Sequence, residues 1–134
     1  MRDAFHEELD AIQATLVTMG EMVSVAMSRS SEALLKADVK LAEQVISEDE
    51  KLDTIQHDLE ARAINLMARQ QPVAQDLRIL VTSLRMSADL ERMGDLCHHI
   101  AKLARMRYPE VAVPAELVKT IESMSTTAVK IIEK

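Results

Sequence analysis

The sequence predicts an all-α protein built from a few long helices. Its 134 residues include only two glycines and three prolines, and aromatic residues make up 1%. An all-β fold needs many turns and is enriched in aromatic and β-branched residues, so it is effectively excluded. Apolar residues recur instead at steps of three and four, as on one face of a helix. We therefore predict an antiparallel three-helix bundle with an additional fourth helix.

The first helix is predicted over residues 3–36, where the apolar residues form a heptad seam typical of a bundle helix. Gly20 lies inside this helix at a cost of about 1 kcal/mol, which a helix of this length tolerates. The seam comprises Phe5, Leu9, Ile12, Leu16, Met19, Val23 and Ala26.

Two further long helices follow. Asp38 is a favourable N-cap for an amphipathic segment that runs to about Arg69. Pro72 then interrupts the chain and suits the first position of a third helix, because its missing N–H is not needed there. This third helix is predicted to end near Arg107.

A proline-flanked linker separates these helices from a fourth. We expect residues 1–107 to form a three-helix unit, residues 108–113 a linker, and residues 114–134 the first helix of a second, truncated unit. The fourth helix repeats the phase of the first at a shift of 112 positions, but not its residue identities, which is weak evidence for an internal repeat. The matching apolar residues are Leu117, Ile121, Met124, Ala128 and Ile131.

The third helix carries two apolar stripes, and a helix that is apolar on two sides needs two partners. We assign the first stripe, including Cys97 as a small buried residue, to the core of the bundle; its members are Ile79, Ser83, Met86, Leu90, Met93, Cys97, Ile100 and Ala104. The second stripe could face the fourth helix, a missing second repeat or another copy of the chain; its members are Val73, Leu77, Leu80, Leu84 and Ala88.

Acidic residues interrupt the apolar surfaces of the second and third helices. Acids four positions apart on a helix repel one another unless something neutralises them, and metal ions held by carboxylate and imidazole do so. Fe, Zn, Mn and Mg all suit such ligands. The alternative is a solvated surface, with Arg85 and Arg92 as ion-pair partners. The candidate ligands are Asp49, Asp53, Glu60, Glu91, Asp95, His98 and His99.

Composition and motifs narrow the class of function. The net charge of −6 disfavours nucleic acid as a partner. The single cysteine excludes an internal disulfide and fits a reducing compartment. We expect no signal peptide and no segment as apolar as a membrane span. Sequence motifs of hydrolases, redox dithiols and zinc proteases are absent, so we expect no enzyme and no catalytic residue.

Three blocks of the sequence resemble the PhoU family of phosphate-signalling regulators. The first runs from Asp49 through Asp53 to Glu60. The second is residues 71–78, Gln-Pro-Val-Ala-Gln-Asp-Leu-Arg. The third is residues 89–95, Asp-Leu-Glu-Arg-Met-Gly-Asp, followed by Ile100-Ala101. The resemblance covers about residues 5–107.

The resemblance implies a three-helix bundle that is repeated twice in full-length members, with metal clusters at positions corresponding to Asp49, Asp53, Glu91 and Asp95. It implies a cytoplasmic, non-enzymatic negative regulator of the phosphate-starvation response. Such a regulator couples the ATPase of a phosphate ABC transporter to a membrane sensor histidine kinase, and reaches the membrane only through these partners. This chain has His99 where the family usually has Asn, and one complete repeat instead of two.

Two other functions fit the same residues. A metal-storage or redox bundle would also place carboxylates on facing helices, and a purely structural interaction domain would leave them solvated. The exposed second stripe of the third helix further predicts a homodimer or a higher assembly.

Overall fold

The three long helices pack side by side in the computed structural model, which describes residues 2–133. Helix α1 spans Arg2–Lys36, α2 spans Val39–Gln70 and α3 spans Ala74–Arg107. A single 3₁₀ turn, Ala115–Leu117, leads into α4, Val118–Glu133. Residues 2–133 contain no β-strand. The predicted fold class is confirmed, and the short connections make neighbouring helices of the bundle antiparallel.

Local capping interactions set the helix boundaries. The Asp38 side chain accepts a hydrogen bond of 3.1 Å from the Leu41 N–H, which confirms the predicted N-cap of α2. Gln71 adopts a left-handed conformation with φ of 41° and ends α2. The Val73 carbonyl accepts the first helical bond of α3, so Val73 is its N-cap. Pro72 therefore precedes α3, and its predicted place as the first helical residue was wrong.

The predicted seam of α1 forms the centre of the core. Its side chains from Phe5 to Val23 are buried against residues of α2 and α3. Burying a Leu or Ile side chain contributes about 1.5–3 kcal/mol, so this seam dominates the stability of the bundle. A second, smaller cluster lies toward the other end of α1 and uses smaller side chains: Ala33, Leu34, Ala42, Val45, Ala101 and Ala104.

The buried face of α3 includes most of the first stripe and also part of the second. Leu80, assigned to the second stripe, is fully buried, and Leu84 also packs against the core. Met86, assigned to the core, is 48% exposed. Ser83 of the first stripe is buried as predicted, and Ser87, which neither stripe included, is buried as well. These residues let α3 approach its neighbours closely, which an apolar pattern alone does not reveal.

The sequence placed Cys97 in the core and left open which element covers the second stripe of α3. Cys97 is buried as predicted, and its Sγ lies 3.9 Å from the Met27 Sδ. The fourth helix does not cover the second stripe of α3, because α4 packs along α1 and not along α2 or α3 within the described residues. Val73 and Leu77 at the start of the stripe consequently remain exposed.

Helix α4 lies antiparallel to α1. Ile121 packs near Leu34 in the small-residue cluster, whereas Ile132 packs against the cluster that contains the first half of α1. None of the described α4 residues is buried. The outer edge of α4 and of the turn before it carries three large apolar side chains at heptad spacing: Leu117 of the turn, and Met124 and Ile131 of α4, which are 46%, 62% and 67% exposed.

Among residues 2–133, one helix is long and apolar enough to cross a membrane by length and composition. It is α1, in which the segment Ala4–Lys36 contains an 18-residue window with a mean hydropathy of 1.2. The expectation that no segment reaches this hydropathy was therefore wrong. In the bundle, the apolar seam of α1 contacts the other helices.

The two glycines offer a matched test of packing. A Cβ atom at Gly94 would overlap the Leu52 side chain, whereas a Cβ at Gly20 would meet nothing within 4 Å. We expect Gly94→Ala to lower the free energy of unfolding by about 1–3 kcal/mol, as overpacking does. Gly20→Ala should raise it by up to about 1 kcal/mol. Urea denaturation followed by circular dichroism measures both, and equal effects would contradict the close packing at Gly94.

Candidate metal centre

Three aspartates from two helices converge between α2 and α3. Asp49 and Asp53 lie one turn apart on α2, so their side chains point the same way. Asp95 on α3 faces them, and each of the three offers one carboxylate oxygen within 4.8 Å of the others. The neighbouring Gly94, packed against Leu52, permits the close approach of the two helices at this level.

His98 joins this cluster through Asp49. Its Nδ1 lies 2.7 Å from the Asp49 Oδ2, and both side chains are largely buried. When Nδ1 donates this hydrogen bond, Nε2 presents a lone pair, which is the form that binds metal.

Three buried polar atoms in this cluster have no hydrogen-bond partner within the described part of the chain: the Asp49 Oδ1, the Asp53 Oδ1 and the His98 Nε2. More than nine in ten buried polar groups in proteins are hydrogen-bonded, because leaving one unpaired costs about 1–3 kcal/mol. These unpartnered atoms make the cluster a candidate site for a bound group. Carboxylate and imidazole donors together fit a divalent cation.

Burial and like charge act together on the acids of the cluster. Removal from solvent raises the pKa of Asp49, and the nearby Asp53 and Asp95 carboxylates raise it further, while the hydrogen bond with His98 opposes the shift. The ionised cluster is therefore strained without a counter-charge. A bound cation would relieve that strain.

Glu91 adds a fourth carboxyl beside the aspartates. Its pKa is raised by burial, by a hydrogen bond to Asp53 and by the charges of Asp53 and Asp95; His57 has a smaller opposing effect. The protonated Glu91 carboxyl donates to Asp53, whereas the ionised form repels it. Glu91 thus lies next to Asp53 and Asp95 and is sensitive to their charge, although it is not one of the residues whose oxygens converge within 4.8 Å.

The remaining predicted ligands lie outside the cluster. Glu60 is exposed, accepts a hydrogen bond of 3.4 Å from Gln56 and lies about 10 Å further along α2 than Asp53. His99 is exposed, and its ring centroid lies 6.3 Å from that of His98.

Among residues 2–133, no ion pair links Arg85 or Arg92 to the aspartates. The sequence analysis assigned no role to Gly94. A glycine in the middle of a helix nevertheless indicates that a neighbouring element packs closely there.

The fold and the cluster define a class of protein: a helical bundle with carboxylates buried between two antiparallel helices. The PhoU domain model matches residues 16–104. The chain belongs to the PhoU family, and the resemblance inferred from its three sequence blocks is confirmed.

Curated relatives match nearly the whole chain. It is 44% identical over 131 residues to "phosphate-specific transport system accessory protein PhoU homolog 2" of Mycobacterium tuberculosis, covering 98% of this chain and 62% of the relative. A similarly named PhoU homolog of Rhizobium meliloti is 35% identical over 125 residues, covering 93% of this chain and 52% of that protein. The chain thus spans between about half and three fifths of these relatives' length.

A solved structure matches the same architecture. The crystal structure of PhoU from Pseudomonas aeruginosa superimposes with a TM-score of 0.86 at 25% identity. The match covers 96% of this chain and 61% of the other.

The raised pKa of Glu91 predicts a pH-dependent stability in metal-free protein. Its favourable hydrogen bond to Asp53 is fully present below the ordinary carboxyl pKa of 4.5 and is lost as the pH rises through the raised value. We expect Glu91→Gln, which keeps a donor, to raise the melting temperature more at pH 7 than at pH 4. Calorimetry in the presence of a chelator measures the difference.

The exposed Asp89 on the same helix provides the control. Asp89→Asn should shift the melting temperature by the same amount at both pH values. An equal effect of Glu91→Gln at pH 4 and pH 7 would show that the cluster does not perturb Glu91.

Proposed function

We propose that this chain is a cytoplasmic, non-enzymatic regulator of a phosphate-specific transport system. Two findings support this role: membership of the PhoU family, and curated relatives that are named accessory proteins of that system. In this proposal it acts as an adaptor between the ATPase of a phosphate ABC transporter and a sensor histidine kinase, and represses the phosphate-starvation response.

A metal-dependent form of this role is supported by one observation, the buried atoms of the cluster that have no hydrogen-bond partner. Asp49, Asp53 and Asp95 would hold a cation such as Mn²⁺, Fe²⁺, Zn²⁺ or Mg²⁺ through oxygen, and His98 would add nitrogen. The cation would supply the positive charge that the acids lack and so hold α2 and α3 together. Glu60 and His99 would not bind the same ion.

A metal-storage or redox bundle is the alternative that the same ligands would serve. It would require tight, stoichiometric iron that reacts with oxygen. A regulator needs only a cation that fixes the α2–α3 geometry, whatever its redox chemistry. Elemental analysis of untagged protein separates the two functions.

We also propose that copies of the chain associate. The exposed Val73 and Leu77 and the outer edge of α4 support this, because large exposed apolar patches favour association. In this proposal α4 begins a second repeat, and the association covers its outer edge.

Metal binding should stabilise the protein measurably. At a concentration of 100 times its Kd, a ligand adds about 2.7 kcal/mol, which is on the order of 10 °C in melting temperature for a domain of this size. We expect Mn²⁺ to produce a shift of this kind in chelator-treated protein. The double substitution Asp53→Asn and Asp95→Asn should abolish it.

Asp58→Asn is a matched control, because Asp58 is an exposed aspartate on α2 that lies outside the cluster. It should retain the full metal-induced shift. If Mn²⁺ and Zn²⁺ shift neither the wild type nor the control, the acids are solvated and the metal-dependent form of the proposal fails.

The regulatory role can be tested in cells of the source organism. Deleting the gene should raise expression from a phosphate-starvation promoter at high phosphate, and wild-type protein should restore repression. Asp58→Asn should also restore it, whereas the Asp53→Asn and Asp95→Asn double variant should not. Unchanged promoter activity in the deletion strain would refute the regulatory role itself.

A further inference from the structure

A groove of about 590 Å³ runs between the first halves of α1 and α3. It shares no residue with the aspartate cluster, which lies between α2 and α3. Its volume falls within the range of small-molecule sites in proteins, about 300–1,000 Å³. The groove therefore has room for a ligand at a place separate from the candidate metal centre.

Apolar side chains from both helices line part of the groove. Leu16 of α1 is buried and Ile79 of α3 is partly buried, so these two lie deepest. Val17 of α1 and Met86 of α3 are 62% and 48% exposed and leave apolar surface open to solvent on either side. An apolar body lying in the groove would remove this surface from water.

The charge of the groove favours an anion. Arg78 is the one charged residue in its lining and forms no ion pair within the described part of the chain. No acidic residue lines the groove, although the chain contains 22 of them and has a net charge of −6. The guanidinium of Arg78 is consequently available to a negatively charged group.

Hydrogen-bond donors surround Arg78 on the same helix. Gln75 lies three positions before Arg78 and Thr82 four positions after it, so the three side chains share one face of α3. Ser83 is only 3% exposed and lines the groove beside Thr82. Among residues 2–133 its hydroxyl has no hydrogen-bond partner, and it is not one of the atoms closed to solvent, so it opens into the groove.

We propose that this groove binds a small amphipathic carboxylate, such as a medium-chain fatty acid. The two carboxylate oxygens match the planar guanidinium of Arg78 and also accept from the Ser83 hydroxyl. The hydrocarbon tail packs against Leu16, Ile79 and Met86. The inference is independent of metal binding and of the regulatory role, because it uses only residues of the groove.

Three probes separate the contributions of charge and tail. Octanoate carries both, octanamide keeps the tail without the charge, and acetate keeps the charge without the tail. Isothermal titration at pH 7 should show octanoate binding at least about tenfold more tightly than octanamide, because charge-assisted hydrogen bonds are roughly twice as strong as neutral ones. Acetate should give no measurable binding. Absence of octanoate binding, or an equal affinity for any two of the probes, would overturn the proposal.

Arg78→Gln tests the contact with the carboxylate. It should reduce the affinity for octanoate to that for octanamide, since it removes the charge and keeps a polar side chain. Arg85→Gln is the matched control, because Arg85 is an exposed arginine of α3 that does not line the groove. It should bind octanoate like the wild type. An unchanged affinity in Arg78→Gln would refute the site.

Met86→Glu tests the apolar side of the groove. The new carboxylate would repel octanoate and should abolish its binding. Leu103→Glu is the control, since Leu103 lies on the same helix, is exposed to a similar extent, 46%, and does not line the groove. Both residues are exposed, so neither substitution disturbs the core, and circular dichroism checks the folding. Equal octanoate binding by the two variants would contradict the proposal.

The outer edge of α4 is the competing place for an amphipathic anion, because Lys130 lies beside the exposed Ile131. Lys130→Gln should leave octanoate binding unchanged. Loss of binding in Lys130→Gln together with retained binding in Arg78→Gln would place the fatty acid on α4 and refute the groove.

Discussion

The close approach of α2 and α3 at Gly94 is the constraint on which the candidate metal centre depends. The absence of a side chain at Gly94 leaves room for Leu52, and the backbones come together at the level where Asp49 and Asp95 face each other. Gly94 also lines a cavity of about 230 Å³ between α1 and α2. Gly94 therefore permits the close approach at which the acids face each other.

The bundle combines a conventional core with a costly polar layer. The seam of α1 supplies apolar burial along most of the helix length. The aspartate layer opposes that stabilisation, because buried like charges and unpaired polar atoms raise the free energy of the folded state. A long bundle tolerates this cost, since its largest core cluster consists of apolar side chains.

The sequence predicted most of the helices because long heptad seams and an Asp N-cap act locally. It failed at Pro72 and in the assignment of Leu80, Leu84 and Met86 on α3. A proline fits either the cap or the first turn, and Leu80 and Met86 lie on adjacent stripes of similar hydrophobicity. Which of these residues faces the core depends on Ser83 and Ser87, because their small size matters only once a neighbouring helix is present.

The site was predictable to a similar extent. Spacing on each helix identified Asp49, Asp53 and Asp95 as candidates, and the structure brings these three together. The spacing of acids on α2 also predicted Glu60 as a ligand, which lies outside the cluster. The acidic face of α2 continues to Glu60, but α3 contributes no acid to the cluster at that level. The cavity between α1 and α2 could not be predicted from apolar periodicity, since residues on different helices line it.

The attachment of α4 has a consequence for the order in which the molecule opens. This helix has no buried residue among those described and contacts one long helix, whereas α1, α2 and α3 each contact the other two. Regions with few buried contacts exchange their amide protons through local unfolding at a lower free energy than the core. The α4 amides should thus exchange first, and each opening would expose a strip of α1 to solvent while the three-helix core stays intact.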